Sequence, residues 1–425
     1  MIRLILAAAP KLKPLLVRFI PRRILRRLKQ RVVSKANSEL EIAAPKPFDR
    51  NAYPDGVNLI GPLTSVMGLG QSSRIIARAL EYTCIPLALI DHQPLSTQKF
   101  TDTAYADKRT DKPKYSVNII HISPHELPFA YLQLGREVFD GRYNIMFWLW
   151  ESGEFPENWL PALNLADEIW TPSEFSGAAV RKATDKPVTV MPYFIEVPIN
   201  ENIDRDYFNL PEDKTLFLCS YDSGSVRFRK NPDGTMDAYK QAFPSERPDC
   251  GIVIKVGGAP KEEIRELKAA LSAYRNVYFI TDYLSRVDMN SLIACCDAYI
   301  SLHRAEGFGL VCAEAMYLGK PVVATNWSAN TEFMNSGNAC LVDYELKPLE
   351  KAIEPFKAGT MWAEPDIAQA AAFVRRVYED AGYRAVIGSA AAESIRRELN
   401  IEKSARTART RLTQLIRGQL CRDVG

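Results

Sequence analysis

The chain lacks any Cys-x-x-Cys pair, has only four histidines and carries a formal net charge of just +3. Each shortage removes a class of function. The eight cysteines, at 84, 219, 250, 295, 296, 312, 340 and 421, lie mostly in apolar runs such as TLFLCSY and GLVCAEA. That usage fits free buried thiols in a reducing compartment and argues against a disulfide or metal framework. With four histidines, two of them isolated among strand-like residues, there is little material for a zinc centre. A helix that spans a bilayer needs about 18–20 consecutive apolar residues, and no run approaches that. The small net charge gives no basis for nucleic-acid binding by the whole chain. It hides an asymmetry, because residues 1–35 carry eleven Lys and Arg and no acid precedes Glu39.

What is present is an ordinary globular composition, 47% hydrophobic and 25% charged. At 425 residues the chain is too long for one core, so two domains of roughly 150–200 residues are expected. Residues 1–35 hold Leu25, Leu28 and Val32 at helical spacing among Arg22, Arg23, Arg26, Arg27 and Lys29. This predicts a basic amphipathic helix, suited to an anionic membrane face or to packing on the protein's own body. Residues 36–55, with Pro45, Pro47 and Pro54, read as a linker.

An α/β series follows over 56–198, with strands at Val57–Ile60, Ile85–Ile90, Val117–Ile122, Asn144–Trp150, Glu168–Thr171 and Val188–Tyr193. Helices fall between them at Gln71–Glu81, Glu126–Leu134, Pro156–Leu165 and Glu174–Ala183. A second series over 199–390 has strands at Thr215–Cys219, Gly251–Val256, Val277–Ile280, Ala298–Leu302 and Val322–Thr325. Apolar runs alternating with amphipathic helices imply parallel sheets covered on both faces. The fold class is therefore α/β, two facing Rossmann-like doubly wound domains with a ligand cleft between them. Residues 391–425 read as a helical tail packing back across both domains.

Three stretches can carry chemistry. In GPLTSVMGLGQSSR, Gly68, Gly70 and Ser73 fit G-x-G-x-x-[G/S], and Asp91 ends the next strand, as in a dinucleotide site. About seven residues separate Ile60 from Gly68, which is longer than that fingerprint allows; a cleft loop offering N–H groups to a phosphate, or a structural turn, are the other readings. In SVRFRKNPDG, Arg227, Arg229 and Lys230 follow the first strand of the second series, where cations can neutralise a departing diphosphate or simply be solvated.

The third stretch, Ser301 to Asn335, is the one around which the rest is arranged. Glu306 stands at its strand-to-helix turn, and Gly307 and Gly309 let backbone approach a ligand. Glu314 lies on the apolar stripe Leu310–Glu314–Leu318, which is costly unless its carboxylate is paired with ribose hydroxyls or protein groups. Asp204 and Asp206 spell D-x-D, but in a polar linker, so no metal site is assigned.

Glu306-GFGLVCA-Glu314, with SLHR before it and PVVAT after it, resembles the E-x7-E element of retaining glycosyltransferases of the GT-B fold, family 4 (group 1). FWLWESGEFPENW (147–159), RFRKNPDG (227–234), SLHRAEGFGL (301–310) and WAEPDIAQAA (362–371) further resemble the bacterial polysaccharide-assembly branch of that family. The resemblance covers about residues 56–400. It implies that Glu306 faces the transferred sugar, that Glu314 binds the donor ribose and that Lys230 binds the donor diphosphate. Phe308 falls within the same donor-binding loop. Gly224 and Ser225 stand where the family carries an arginine, so either Arg227 or Arg229 takes that role or the role is absent. The family also places a histidine near the reacting sugar, matched by His121 in NIIHISPHE with His125 as second choice; as a core histidine His121 would be unremarkable.

The implied partners are a nucleotide-sugar donor and a glycan or lipid-linked acceptor, with no metal, no cofactor and no nucleic acid. A cytoplasmic enzyme resting on the inner membrane leaflet through residues 1–35 is expected. A nucleotide-sugar epimerase of similar fold, an NAD-dependent dehydrogenase and a non-catalytic sugar-binding relative are the alternatives.

Overall fold

The computed structural model describes residues 44–93 and 102–417. The basic helix expected in residues 1–35 and Cys421 lie outside the described residues. In the first domain come β1 (Val57–Gly61), α1 (Gly68–Glu81), β2 (Leu87–Asp91), β3 (Val117–Ile120), α2 (Leu127–Leu134), β4 (Tyr143–Phe147), β5 (Glu168–Thr171), α3 (Glu174–Arg181) and β6 (Val188–Val190). These strands form one parallel sheet in the order β2-β1-β3-β4-β5-β6.

The second domain runs β7 (Thr215–Asp222), α4 (Arg227–Lys230), α5 (Pro232–Ala242), β8 (Cys250–Gly257), α6 (Lys261–Ala270), β9 (Val277–Ile280), α7 (Arg286–Cys295), β10 (Ala298–Ser301), α8 (Leu310–Tyr317), β11 (Val322–Thr325) and β12 (Cys340–Val342). Its parallel sheet has the order β9-β8-β7-β10-β11-β12. Strand order reverses direction between β1 and β3 and between β7 and β10. At such points the loops leaving neighbouring strand ends diverge and leave a crevice for ligand.

Both sheets are covered on both faces, which is why their strands read as continuous apolar runs. Every residue of β1, β3 and β11 is buried. The apolar pattern alone would tolerate a slipped register. Three buried asparagines prevent it in the first sheet. Asn58 donates to Asn118 (2.9 Å), and Asn118 donates to Asn144 (2.8 Å), along the observed register of β1, β3 and β4. A one-residue slip would strand these amides in the core.

An antiparallel hairpin, β13 (Tyr344–Pro348) with β14 (Met361–Pro365), then leads to α9 (Ile367–Glu379), α10 (Ala381–Glu398) and α11 (Ile401–Arg417). Helix α11 returns to the first domain, where Ala408 and Leu412 are buried in the core that also holds Ile75, Ile76 and Trp170 of that domain. Arg411 on α11 donates to the fully buried Glu168 of β5 (2.7 Å), which also accepts from Trp170 and Thr189 (2.8 and 2.7 Å). A carboxylate buried in this way is tolerable only with a cation and several donors around it.

Two expectations are corrected. The helix expected over Pro156–Leu165 is a 3-10 segment, Glu157–Leu165, because Pro161 inside it has no N–H for an α-helical bond. Strand β12 and the hairpin were not anticipated, since β12 is three residues long and Pro348 and Pro365 sit in the hairpin strands. Among the described residues no helix is long and apolar enough to cross a membrane. Asn118→Ala leaves Asn58 and Asn144 each short of a buried partner. Urea unfolding should show a loss of about 3 kcal/mol; a loss below about 0.5 kcal/mol would mean the asparagine ladder does not hold the register.

Candidate functional site

The site is built where β7 and β10 end side by side. After β7 the chain makes the single helical turn α4, and Asn231 then takes a left-handed conformation with φ of 50°. The Asn231 side chain caps α5 by accepting from Gly234 N (3.1 Å), while its Nδ2 donates to the Leu302 carbonyl (2.8 Å) just beyond β10. In the same way Arg304 N donates to the Arg229 carbonyl (2.8 Å). The basic turn is thereby bolted to the loop that carries Glu306. Arg304 secures it from outside, with its guanidinium on Glu364 (2.7 and 2.8 Å) and over the Phe228 ring.

Glu306 is the centre of this construction. Its side chain is 12% exposed, Lys230 Nζ donates to Oε1, and Arg229 Nη1 lies 3.2 Å from Oε2. Burial works against the charge, but Lys230 and then Arg229 overcome it and hold Glu306 down to about 2. The carboxylate is therefore ionised at any physiological pH. Ser328 Oγ accepts from Glu306 N (2.8 Å) and fixes the backbone. Behind it His303 is pushed below the usual imidazole range by burial, so it stays neutral between Asn330 Oδ1 (2.9 Å) and Ser301 Oγ (3.1 Å).

Arg229 also lies 3.3 Å from Glu151, which belongs to the first domain just past β4. One buried guanidinium thus joins carboxylates from both domains. Burial opposes its charge, and Glu151 and Glu306 more than restore it. Other contacts close the same seam. Ser173 Oγ donates to the Gly307 carbonyl (2.7 Å), and the Glu332 carboxylate accepts from Glu174 N and Phe175 N (3.0 and 2.9 Å) at the start of α3.

Several residues singled out in the sequence are placed differently from the expectation. Arg227 is not brought to Glu306, because Asp233 (2.7 Å) and Glu266 (2.8 Å) hold it on the outer side of the turn. Gly307 makes room for the other domain, since a Cβ there would lie 3.3 Å from the Trp150 carbonyl. Phe308 is buried between Tyr193 and Phe333, as interdomain core. Gly309 keeps its expected place at the start of α8, with φ of 91° and no side-chain cap on the helix.

Gly68 opens α1, which likewise has no side-chain cap, and Gly70 receives the Ser65 carbonyl where a Cβ would sit. Asp91 accepts from Thr64 N and Oγ1 (3.0 and 2.8 Å), so it braces the glycine loop, a use that does not match the acid of a dinucleotide fingerprint. That loop does reach the second domain, where Met67 lies against Gly224.

His121 is fully buried and fully engaged. Its ring contacts the Phe147 carbonyl through Nδ1 (2.8 Å) and Ser72 Oγ through Nε2 (2.6 Å), and Ser72 in turn meets Tyr193. Burial pushes its pKa down to about 4, so neutral Nδ1–H donates and Nε2 accepts. His121 therefore stands one layer behind the cleft, reaching it through Ser72, Tyr193 and Phe308. His125 stacks on Trp159.

Glu314 is buried on α8, with Oε1 against Arg286 Nη2. Burial and then the nearby Arg74 of the first domain push Arg286 down to about 9. Arg286, Glu151 and Ser328 were not singled out in the sequence. Glu151 lies inside the FWLWESGEFPENW block, but Arg286 has no motif around it and is recognisable only once α7 and α8 are packed together.

The neutral state of His121 is directly measurable. Its folded pKa lies below the unfolded value of about 6.5, so its contribution to stability is present above that value and is lost as pH falls towards about 4. Imidazole NMR titration should find its midpoint near 4, whereas a midpoint near 6.5 would contradict the buried relay.

Residues 200–394 match the family described as glycosyl transferases group 1. The lipopolysaccharide core biosynthesis mannosyltransferase LpsB of Rhizobium meliloti (strain 1021) is 29% identical over 165 residues, 34% of this chain and 45% of the relative. The match thus spans less than half of that relative's length. HepE of Anabaena in complex with UDP-glucose has a TM-score of 0.61 at 16% identity, over 86% of this chain and 100% of that one. Sucrose-phosphate synthase from Thermosynechococcus elongatus has a TM-score of 0.61 at 16% identity, over 87% and 100%. The chain has the GT-B fold, and the part of it that carries Lys230, Glu306 and Glu314 is similar to glycosyl transferases group 1.

Proposed function

We propose that this chain is a retaining glycosyltransferase of family 4 type. It moves a sugar from a nucleotide-sugar donor to a hydroxyl of a glycan or lipid-linked acceptor during cell-surface polysaccharide assembly. One observation carries the reading: a buried, ionised Glu306 at the strand-end crevice, flanked by Lys230 and Arg229 and backed by the first domain. A donor sugar-diphosphate needs a polar anchor for the sugar and cations for the leaving group, and both are mounted here within one cluster. The similarity to LpsB, a mannosyltransferase of lipopolysaccharide core biosynthesis, supports a hexose and a surface glycan. HepE, bound to UDP-glucose, supports a nucleotide-sugar donor.

In this mechanism Glu306 orients the transferred sugar, and Lys230 with Arg229 stabilises the charge that builds on the diphosphate. The uncapped starts of α1 and α8 offer further N–H groups to phosphate. Glu314 binds the donor ribose. The acceptor approaches from the first domain on the face that the diphosphate leaves, and a diphosphate oxygen takes the hydroxyl proton. His121 positions Tyr193 and Phe308 through Ser72. Because side-chain cations supply the counter-charge, no metal requirement is expected. Contact between the two domains excludes water and so limits hydrolysis of the donor. Residues 1–35 would rest a cytoplasmic enzyme on an anionic membrane face.

Incubating the protein with a panel of nucleotide-sugars in EDTA, with and without oligosaccharide or lipid-linked acceptors, should give acceptor-dependent release of nucleoside diphosphate. Strict metal dependence, or no turnover with any donor beside a competent acceptor, would contradict the proposal. Glu306→Ala should lower kcat about 100-fold or more, the scale of losing one preorganised electrostatic contact. Removal of residues 1–35 should shift the protein from anionic vesicles to the supernatant in flotation; unchanged partitioning would count against membrane contact.

A further inference from the structure

The hairpin β13–β14 belongs by chain order to the second domain, yet its loop, residues 349–360, reaches into the first. The loop is closed on itself: Leu349 N donates to the Thr360 carbonyl (2.8 Å), and Ile353 and Phe356 exchange backbone hydrogen bonds (2.9 and 2.7 Å). Phe356 is 3% exposed and lies in the aromatic core of the first domain with Trp150, Phe155 and Trp159. Its ring stacks on Trp150, with centroids 5.0 Å apart and planes 18° from parallel. Beside it Lys357 pairs with Glu154 (3.2 Å), but both side chains are more than half exposed. An exposed pair adds little, so the buried ring carries the contact.

The contact continues to the site. Phe356 meets Trp362 of β14 edge-on (5.0 Å), and Trp362 lies against Phe228 (5.2 Å), the second residue of α4. The Arg304 guanidinium also covers the Phe228 ring (4.0 Å), and Ala363 N donates to the Arg304 carbonyl (3.1 Å). Val226, just before α4, packs on the same aromatic core. A single turn of helix has almost no stability of its own, so α4 keeps its shape through what packs on it. Four sequence blocks thus meet through Trp150, Phe228, Arg304 and Trp362, and Phe356, which none of them contains, is the link.

The two cations of the turn depend on this packing unequally. Arg229 is buried and has anchors of its own, the Ala305 carbonyl (2.8 Å) and Glu151 (3.3 Å). The Lys230 ammonium, on a side chain 23% exposed, is held by Glu306. Its aim is therefore set by the backbone of α4, and so by Phe228.

We propose that Phe228, Trp362 and Phe356 are positioning residues for the transfer, a row of rings that seats the hairpin in the first domain and holds Lys230 on Glu306. This rests on the nucleotide-sugar reading above and deepens it. The rings touch neither donor nor acceptor; they act through the lysine that meets the charge of the departing diphosphate.

Single-turnover release of nucleoside diphosphate by the full chain, with enzyme in excess so that slow variants stay readable, tests this. Phe228→Ala, at a position 45% exposed, should fold. It should lower the rate at saturating donor about tenfold or more, while half-saturation moves less than about threefold, because what is lost is alignment in the transition state. Phe356→Ala should do the same, and Phe228→Tyr, which keeps the ring, should restore the rate. In a Lys230→Ala background the further change Phe228→Ala should cost less than about threefold, because the cation it positions is already gone. A wild-type rate in Phe228→Ala would overturn the inference. So would a tenfold loss that persists in the Lys230→Ala background, which marks a merely structural ring. If Phe356→Ala does not fold, the Phe228 variants decide. Absence of release by wild type with every donor would instead sink the nucleotide-sugar reading on which the inference rests.

Discussion

A carboxylate held ionised out of water is the constraint on which the rest of this structure depends. Glu306 can be buried and charged only because Lys230 and Arg229 are delivered to it from another strand end. Delivery needs β7 and β10 to be adjacent, and it needs the α4 turn to be locked at the Leu302 carbonyl by Asn231. Sheet order, a left-handed asparagine and a salt-bridged turn are thus one device. If either cation were lost, the desolvation cost of the carboxylate would stand uncompensated, and the group would take up a proton or move.

The second domain does not complete the cluster alone. Glu151 shares Arg229 with Glu306 from across the seam, Ser173 and Ser176 hold the Gly307 carbonyl, and Glu332 caps a helix of the opposite domain. A buried relay runs from His121 through Ser72 and Tyr193 to Phe308, one residue from Gly307. The domain interface and the site therefore share Arg229, Gly307 and Phe308. The charged centre thus lies against the seam between the domains, a placement that suits chemistry that must exclude water.

The sheets were legible because parallel strands covered on both faces must be apolar throughout, as in Val57–Gly61 and Val322–Thr325. Their register was not legible, since it depends on Asn58, Asn118 and Asn144 meeting across three strands far apart in the chain. Glu306 and Lys230 could be found because each lies in a compact motif at a strand end. Gly307 and Phe308, expected in the donor-binding loop, also lie against the first domain, which the motif did not show. A glycine beside a cleft serves either a ligand or a second domain, and a local motif does not say which. Arg227 and Arg229 are two residues apart on one short turn and point to opposite sides, a distinction that four residues of helix make and no composition reveals. Arg286 was missed for the same reason, because its partner Glu314 lies on a different helix.

The ion pair between Glu306 and Lys230 makes them one electrostatic unit. A double-mutant cycle on kcat/KM for nucleoside diphosphate release, using Lys230→Ala, Glu306→Ala and both together, tests it most directly. Strong non-additivity is expected, with the double variant within about threefold of the worse single variant. Losses that multiply as independent factors would contradict it.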